Sequence, residues 1–395
     1  VVVEAGAQIT VNSGQTLTVV NGTGTDLNVS GTLQNAGTVT LSSGATIIFN
    51  SGGTYQHSLN GGTIPTAMWD AASTCLITGT TTTLPGGRAQ TFGHFTWNCA
   101  SQSAALNLET SMSIAGNCTV SSTGTGTLRL LNSTTARTMT VGGNYSQTGG
   151  TFNLKNSSGV AILNVTGNFS QTGGTFTLRS GSATGSGTVN VAKHFSLSAG
   201  TFNLSGIGAV GTLNVGGNFS HSGGTLTETS TGSGAILFTS GLHTNTSGGT
   251  VANTINFTVN TGATLMLGTS VLGNGSSGTF TLASGGTLGI GDPAGITSSG
   301  ATGNIRVPGT RTFNTGANYI YNGTVPQVPG NGLPATVNDL IVGNAAGLTV
   351  NSTNAVSGVC SVNSGARLLG TGIINNGPLI LSGTVAPGVG VGRFT

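Results

Sequence analysis

The chain has 395 residues, of which only 4% are charged, and its formal net charge is +3. Ten Lys and Arg scattered over this length form no basic stripe, which argues against nucleic-acid binding, and no apolar run reaches the roughly 18 residues of a membrane-spanning helix. Apolar residues make up 36% of the chain and recur periodically, which argues against a disordered chain and indicates a substantial, though thin, core.

Residues 1–60 place an apolar residue just after a small corner at short intervals. This pattern predicts strands from the first residues onward, and it recurs at 14–17, 31–33, 37–39, 44–47 and 52–55. The chain starts in this repeat style without an initiator Met or a signal peptide, so we expect a mature or excised piece of a longer protein.

Residues 61–120 interrupt the pattern and hold both Trp residues and three of the four Cys. Cys75 and Cys99 are separated by about one coil, and stacking would bring their Cα atoms to about 5 Å, a separation that a disulfide accepts. Two interpretations stay open for this pair: a disulfide, or two buried thiols. Cys118 and Cys360 fit inward-facing positions of alternating strands. The absence of CxxC or Cys/His spacing disfavours a metal site.

Residues 121–291 carry the clearest repeat, a single phrase written four times, at 141–154, 165–178, 191–204 and 215–228. The aromatic anchors of the four copies are Tyr145, Phe169, Phe195 and Phe219. The place before each anchor holds Asn144, Asn168, His194 and Asn218. Two-residue alternation predicts that the anchors point inward and that neighbouring Thr residues point outward. The shared Asn is expected to form a hydrogen-bonded ladder along the stack.

The period of this phrase predicts the fold class. Each copy offers three short strands joined by Gly-rich corners, and a lone coil cannot bury its apolar face, so equivalent strands must pair from coil to coil. We predict an all-β, right-handed parallel β-helix (β-solenoid) of roughly 16 coils with about 24 residues each, the hand following from the usual crossover preference. The solenoid is expected to run continuously over 1–395, with Pro-rich excursions at 292–335 and C-terminal coils at 336–395.

Two further blocks resemble a known group of proteins. The first is STCLITG at 73–79 followed by LPGGRAQTFGHFTWNC at 84–99, and the second is RTFNTGANYIYNGT at 311–324 followed by GLPATVNDL at 332–340. Both are similar to stretches of very large, repetitive secreted or cell-surface β-solenoid proteins of Bacteroidetes, which are adhesin-like. The resemblance implies export, commonly through the type IX route with a C-terminal sorting domain.

The acidic residues do not gather at one place. They are Glu4, Asp26, Asp70, Glu109, Glu228, Asp292 and Asp339. Polysaccharide-cleaving β-helices need carboxylates on one face, as an acid and base pair or as calcium ligands. Lys193, His194 and His221, with Glu228 beyond, come nearest to a constellation, and substitution at solenoid positions explains them. We therefore predict no enzyme, no catalytic residue, no metal and no cofactor.

These observations favour a non-enzymatic structural segment of an exported filament, stalk or adhesin, acting as a stiff stacked-β rod. The alternative is a carbohydrate-binding or surface-attachment module, whose stacking platforms would be Trp69, Trp97, Tyr319 and Tyr321; burial of these aromatics is the competing interpretation. Expected partners are further copies of the chain end to end, neighbouring domains or surface glycans. The expected location is extracellular, on the outer surface of a Gram-negative bacterium. Specific recognition is expected at 61–120 and 292–335, where the repeat is broken.

Overall fold

The computed structural model describes residues 1–181, 184–208, 210–229 and 233–387. Within these residues the chain is all-β and contains no helix, and its parallel strands stack as a β-solenoid of about 16 turns with about 23 residues per turn. The predicted all-β solenoid is therefore confirmed. The chain divides into two compact units, residues 1–211 and 212–395.

A complete turn contains a first, a second and a third strand, as in Ala161–Val165, Phe169–Gln171 and Thr175–Arg179. Buried and half-buried residues alternate along the first two strands because successive side chains point to opposite faces. Gly174 makes the corner before the third strand with a φ of 66°, and a Cβ there would lie 2.3 Å from the carbonyl oxygen of Gly150 in the previous turn. Both the bend and the close stacking of turns therefore require glycine at this corner.

In unit 1, residues 1–211, the strands of each class pair in parallel between most successive turns, but no strand pairing joins Met68–Trp69 to Thr91–Phe92 or Thr38–Leu41 to Ala105–Asn107. The first strands are Val2–Val3, Leu27–Val29, Ile47–Phe49, Met68–Trp69, Thr91–Phe92, Met112–Ile114, Arg137–Val141, Ala161–Val165 and Gly187–Val191. The second strands are Gln8–Val11, Thr32–Asn35, Thr54–His57, Thr74–Ile77, His94–Asn98, Cys118–Ser122, Tyr145–Gln147, Phe169–Gln171 and Phe195–Leu197. The third strands are Thr16–Val19, Thr38–Leu41, Ala105–Asn107, Thr127–Leu131, Thr151–Lys155, Thr175–Arg179 and Thr201–Asn203.

Unit 2, residues 212–395, is built in the same way. Its first strands are Gly211–Val215, which starts at the last residue of unit 1, Gly234–Phe238, Ile255–Val259, Phe280–Leu282, Arg311–Phe313, Thr336–Val337, Thr353–Val356 and Ile373–Asn375. Its second strands are Phe219–His221, Gly241–Ser247, Ala263–Met266, Thr287–Ile290, Asn318–Tyr321, Leu340–Val342, Cys360–Val362 and Leu379–Leu381. Its third strands are Thr225–Thr227, Thr250–Val251, Leu348–Thr349, Arg367–Gly370 and Thr384–Pro387.

The turns differ in length, and strand pairing rather than the repeated phrase fixes which residues meet. Thr54 pairs with Thr74 and Thr74 with His94, so two successive turns of unit 1 have 20 residues. Tyr145 pairs with Phe169 after 24 residues. The fully described stretches 291–310 and 322–335 contain no regular strand and form loops of unit 2, in which Ile296, Ile305 and Val307 are buried.

The third strands of unit 1 differ from the predicted alternation. Asn153 and Thr177, which the pattern places on the outer face, are only 8% and 6% exposed. The Asn153 side chain donates a hydrogen bond from Nδ2 to Ser180 Oγ at 3.0 Å, and Ser180 directly follows the third strand of the next turn. Both faces of these strands are therefore covered, whereas Thr151 and Thr175 stay half-buried.

Candidate functional site

Three of the four aromatic residues predicted as glycan platforms are in the core. Trp97, Tyr319 and Tyr321 are each 0% exposed, so they cannot stack on a sugar; the glycan-platform interpretation is wrong for them, and the competing interpretation, burial, is confirmed. All three occupy inward positions of second strands, and their polar atoms have partners inside the protein. Trp97 Nε1 donates to Gln102 Oε1 at 2.9 Å. The hydroxyls of Tyr319 and Tyr321 donate to main-chain carbonyl oxygens, each at 2.8 Å.

Trp69, the fourth predicted platform, is half-buried. Its ring stacks on Phe49, with centroids 4.3 Å apart and planes at 14°, and meets the Phe92 ring edge-on at 5.2 Å. Its Nε1 donates to Gln90 Oε1 at 2.8 Å. One ring face and the indole nitrogen therefore serve internal packing.

The four cysteines are free and buried, so the disulfide interpretation of Cys75 and Cys99 is wrong and the interpretation as two buried thiols is confirmed. The reason is the short turn in this region, which pairs Cys75 with Phe95 rather than with Cys99. Cys99 Sγ instead lies 3.5 Å from the carbonyl oxygen of Ile77, to which it donates.

Burial also decides the chemistry of these thiols. It raises the pKa of Cys99 and Cys360 to about 11 and that of Cys118 to about 12, and it holds the pKa of Cys75 well above its ordinary value. Because the thiolate is the nucleophile and the metal ligand, protonated buried thiols are unreactive packing residues.

The predicted asparagine ladder is present. Asn168 donates its main-chain N–H to Asn144 Oδ1 at 2.8 Å, and its own Oδ1 accepts the N–H of His194 at 3.1 Å. The ladder extends further toward the N-terminus than predicted, because Asn117 Oδ1 accepts the N–H of Asn144 and His94 Nδ1 accepts the N–H of Asn117, both at 2.8 Å. In unit 2, Asn218 Oδ1 accepts the N–H of Thr244 at 3.0 Å.

The aromatic anchors form a column inside unit 1. Tyr145 stacks on Phe169 with centroids 4.8 Å apart, and Phe169 stacks on Phe195 at 5.3 Å. Phe176 and Phe202 meet this column edge-on at 5.2 and 5.5 Å from Phe169. Such arrangements stabilise aromatic pairs beyond the area that they bury. Phe219, the fourth anchor, is 2% exposed within unit 2.

Two buried cations were not predicted from the sequence. Lys155 and Arg179 pair in register at the ends of adjacent third strands, and both side chains are 0% exposed. Both donate to the carbonyl oxygen of Thr184. Burial, and secondarily the neighbouring positive charge of Arg179, lowers the pKa of Lys155 to about 8. The sequence signal for this pair was a basic residue directly after the TFxL pattern in two successive copies. The alternation predicted that these positions face outward.

The residues of the nearest predicted constellation do not form a common surface feature. Lys193 and His194 are exposed at a corner of unit 1, whereas His221 is a buried, inward-facing residue of unit 2 and Glu228 is 0% exposed. In the described part of the chain, no three His, Cys, Asp or Glu side chains are grouped to hold a metal ion. Nor do those residues include a helix of the length and hydropathy needed to cross a membrane.

A cavity of about 200 Å³ opens on unit 2, at a place that sequence reasoning missed. Its walls include Phe219, His221, Asn245 and Phe257. The available signal was Asn245. Strand pairing places it opposite Phe219, so an amide lies where earlier copies have an aromatic ring.

No family model matches the chain, and neither a curated protein nor a solved structure matches it. Functional inference therefore depends on the residues described above.

Proposed function

We propose that this chain is a non-enzymatic structural segment of an exported cell-surface or extracellular protein, such as a filament, stalk or adhesin. The observation that carries the proposal is the continuity of contacts between successive turns. In unit 1 the anchors Tyr145, Phe169 and Phe195 stack directly, and the Asn144 and Asn168 side chains bond each corner to the next.

These contacts are suited to mechanical stiffness. Each turn is hydrogen-bonded to its neighbours through parallel strands, so stretching or bending a unit along the stack strains many short-range bonds at once. Because the chain carries few charges, salt or moderate changes of pH can weaken few of its interactions. Side chains that are devoted to stacking favour a passive scaffold over a chemical role.

Export and surface location are supported by the resemblance of blocks 73–99 and 311–340 to repetitive surface proteins of Bacteroidetes. Under this proposal the partners are further copies of the chain, neighbouring domains of a longer protein or surface glycans. A location on the outer surface of a Gram-negative cell makes one direct prediction. An epitope tag inserted at the exposed corner that contains Lys193 should be cut from intact cells by added protease, and a tag protected until the cells are lysed would refute export.

The structural role is tested by electron microscopy and force spectroscopy on the purified chain. Narrow rods or continuous fibres are expected, together with unfolding in discrete steps at high force. Compact, monodisperse particles that unfold at low force would refute the proposal. Phe169→Ala provides the matched comparison, because it interrupts the stack at one turn and should lower the unfolding force without changing export.

A further inference from the structure

The cavity of unit 2 arises from a strand that divides its pairing between two turns. Residues 245–247 of strand Gly241–Ser247 pair with Phe219–His221 of the previous turn, whereas residues 241–244 pair with Ala263–Met266 of the next turn. Residues 245–247 therefore have no strand of the next turn beside them. The segment 267–274 crosses there instead, and its Val271 N–H donates to Ser247 Oγ at 3.0 Å.

This offset places a polar side chain, that of Asn245, in the core. Asn245 is opposite Phe219, at the inward position that aromatic anchors occupy in earlier copies, and it is only 7% exposed. Neither its Nδ2 nor its Oδ1 has a hydrogen-bond partner among the residues that the structure describes. Buried amides are almost always hydrogen-bonded, so an amide that lines a cavity without partners indicates that something else supplies them.

The other walls restrict the chemistry of the missing partner. Among the described residues that line the cavity, none is acidic or carries a permanent positive charge, and burial lowers the pKa of His221, which favours its neutral imidazole. The inner walls are apolar, with Phe219, Leu226 and Phe257 all at most 2% exposed. The mouth is polar and reaches solvent through Thr246, Ser247 and Asn274.

We propose that this cavity binds one neutral sugar residue, either free or at the end of a glycan. An amide offers a donor and an acceptor side by side, and adjacent hydroxyls of a pyranose ring offer the complementary acceptor and donor. The absence of charged side chains among the described walls disfavours acidic sugars and phosphates. A cavity of about 200 Å³ is smaller than the pockets of drug-sized ligands, which begin at roughly 300 Å³, and suits a single ring.

The experiment measures binding of methyl glycosides of neutral hexoses and N-acetylhexosamines to the purified chain, by saturation-transfer NMR and calorimetry. Methyl glucuronoside serves as the acidic comparison. We expect saturable binding of at least one neutral glycoside, and binding weakened about tenfold or more by Asn245→Leu, which removes both hydrogen-bonding groups. Asn245→Phe should also abolish binding, because it fills the cavity and continues the aromatic column.

Two controls make the outcome decisive. Asn12→Leu makes the same replacement at an exposed position of unit 1 and should leave affinity unchanged. Circular dichroism establishes that each variant is folded, and Asn245→Ser replaces Asn245→Phe if the larger side chain prevents folding. A panel of oligosaccharides distinguishes a free sugar from a glycan end, since only the latter binds more tightly as the chain lengthens.

The inference fails if no neutral saccharide binds saturably, if the acidic sugar binds as well as the neutral ones, or if folded Asn245→Phe binds like the original chain. It does not depend on the proposed structural role. Rods in micrographs without sugar binding would leave that role intact, and sugar binding by compact particles would support the cavity alone.

Discussion

At the scale of single residues, the corner asparagines show how one side chain connects three turns. Asn168 donates its main-chain N–H to Asn144 Oδ1 and receives the His194 N–H on its own Oδ1. Asn168→Ala leaves the His194 N–H without this acceptor, and we expect a loss of about 1 kcal/mol in the free energy of unfolding. Chemical denaturation followed by circular dichroism measures this loss.

The matched variant for this prediction is Asn168→Asp, which keeps an acceptor oxygen in the same place. It should lose less stability than Asn168→Ala, because a carboxylate also accepts a hydrogen bond from a main-chain N–H. Equal losses in the two variants would show that the ladder bond does not contribute to stability.

The cysteines give a second prediction at this scale. Because all four thiols are buried and free, with raised pKa values, a thiol reagent at pH 8 should label none in the native chain and all four in guanidinium chloride. Intact-mass spectrometry counts the labels. A chain purified without reductant that carries only two labels after denaturation would instead indicate a disulfide.

Strict two-residue alternation predicts which side chains of a strand point into the core. Phe95 and Trp97 are two residues apart on one strand, and that spacing alone places both on the same inner face. Of the two interpretations left open for Trp97, a glycan platform and a buried ring, burial is the one that this alternation supports, and Trp97 is 0% exposed. The environment of Asn245 could not be derived in this way, because it depends on a pairing offset that only the folded strand shows.

At the scale of elements, one buried arginine organises the loop before strand Arg311–Phe313. Arg311 is 8% exposed, and its guanidinium donates to the carbonyl oxygens of Val307, Thr297 and Gly300 and to Thr297 Oγ1. Because a charged donor serves several main-chain acceptors at once, we expect Arg311→Met to destabilise this loop by about 2 kcal/mol. Hydrogen exchange should rise by more than about tenfold in residues 297–307.

Arg306 in the same loop is the natural control. Its guanidinium lies 3.5 Å from Asp292 Oδ2, and its side chain is 29% exposed, so Arg306→Met should cost less than about 1 kcal/mol. If the two variants raise exchange equally, the loop is held by its backbone contacts rather than by the buried guanidinium.

The elements themselves were predictable to different degrees. The repeated phrase at 141–228 predicted strands and corners because each copy contains both the alternation and the glycines that the turn requires. Between Thr54 and His94 two successive turns shorten to 20 residues, and no residue pattern there reveals the change. The predicted stacking of Cys75 on Cys99 failed for this reason.

At the scale of the whole molecule, the low charge makes the response to acid depend on a few histidines. Only seven acidic residues are present, so the usual source of acid unfolding is weak. Each unit contains a buried histidine with a lowered pKa, His57 in unit 1 and His221 in unit 2, and desolvation is the main cause in both. His57 Nε2 lies 2.7 Å from the Gly61 carbonyl oxygen, and its Nδ1 lies 3.0 Å from the Tyr55 hydroxyl.

The sign of the effect follows from linkage. The pKa of a histidine in an unfolded chain is about 6.5. The pKa of His57 in the folded chain is lower. Between these two values the unfolded chain binds more protons, so the stability of both units should fall as the pH drops below about 6.5 and level off below the folded pKa. The midpoint of urea unfolding at a series of pH values from 7.5 to about 4.5 measures this decline.

The two units can be followed separately, because both tryptophans, Trp69 and Trp97, lie in unit 1, so tryptophan fluorescence reports only that unit. His57→Asn replaces the histidine with the residue type of its register partner, Asn35. This variant should show a weaker pH dependence of the fluorescence-detected unfolding transition. His194→Asn removes an exposed histidine and should leave that dependence intact. A decline below pH 6.5 that persists in His57→Asn would mean that other groups control the acid response of unit 1.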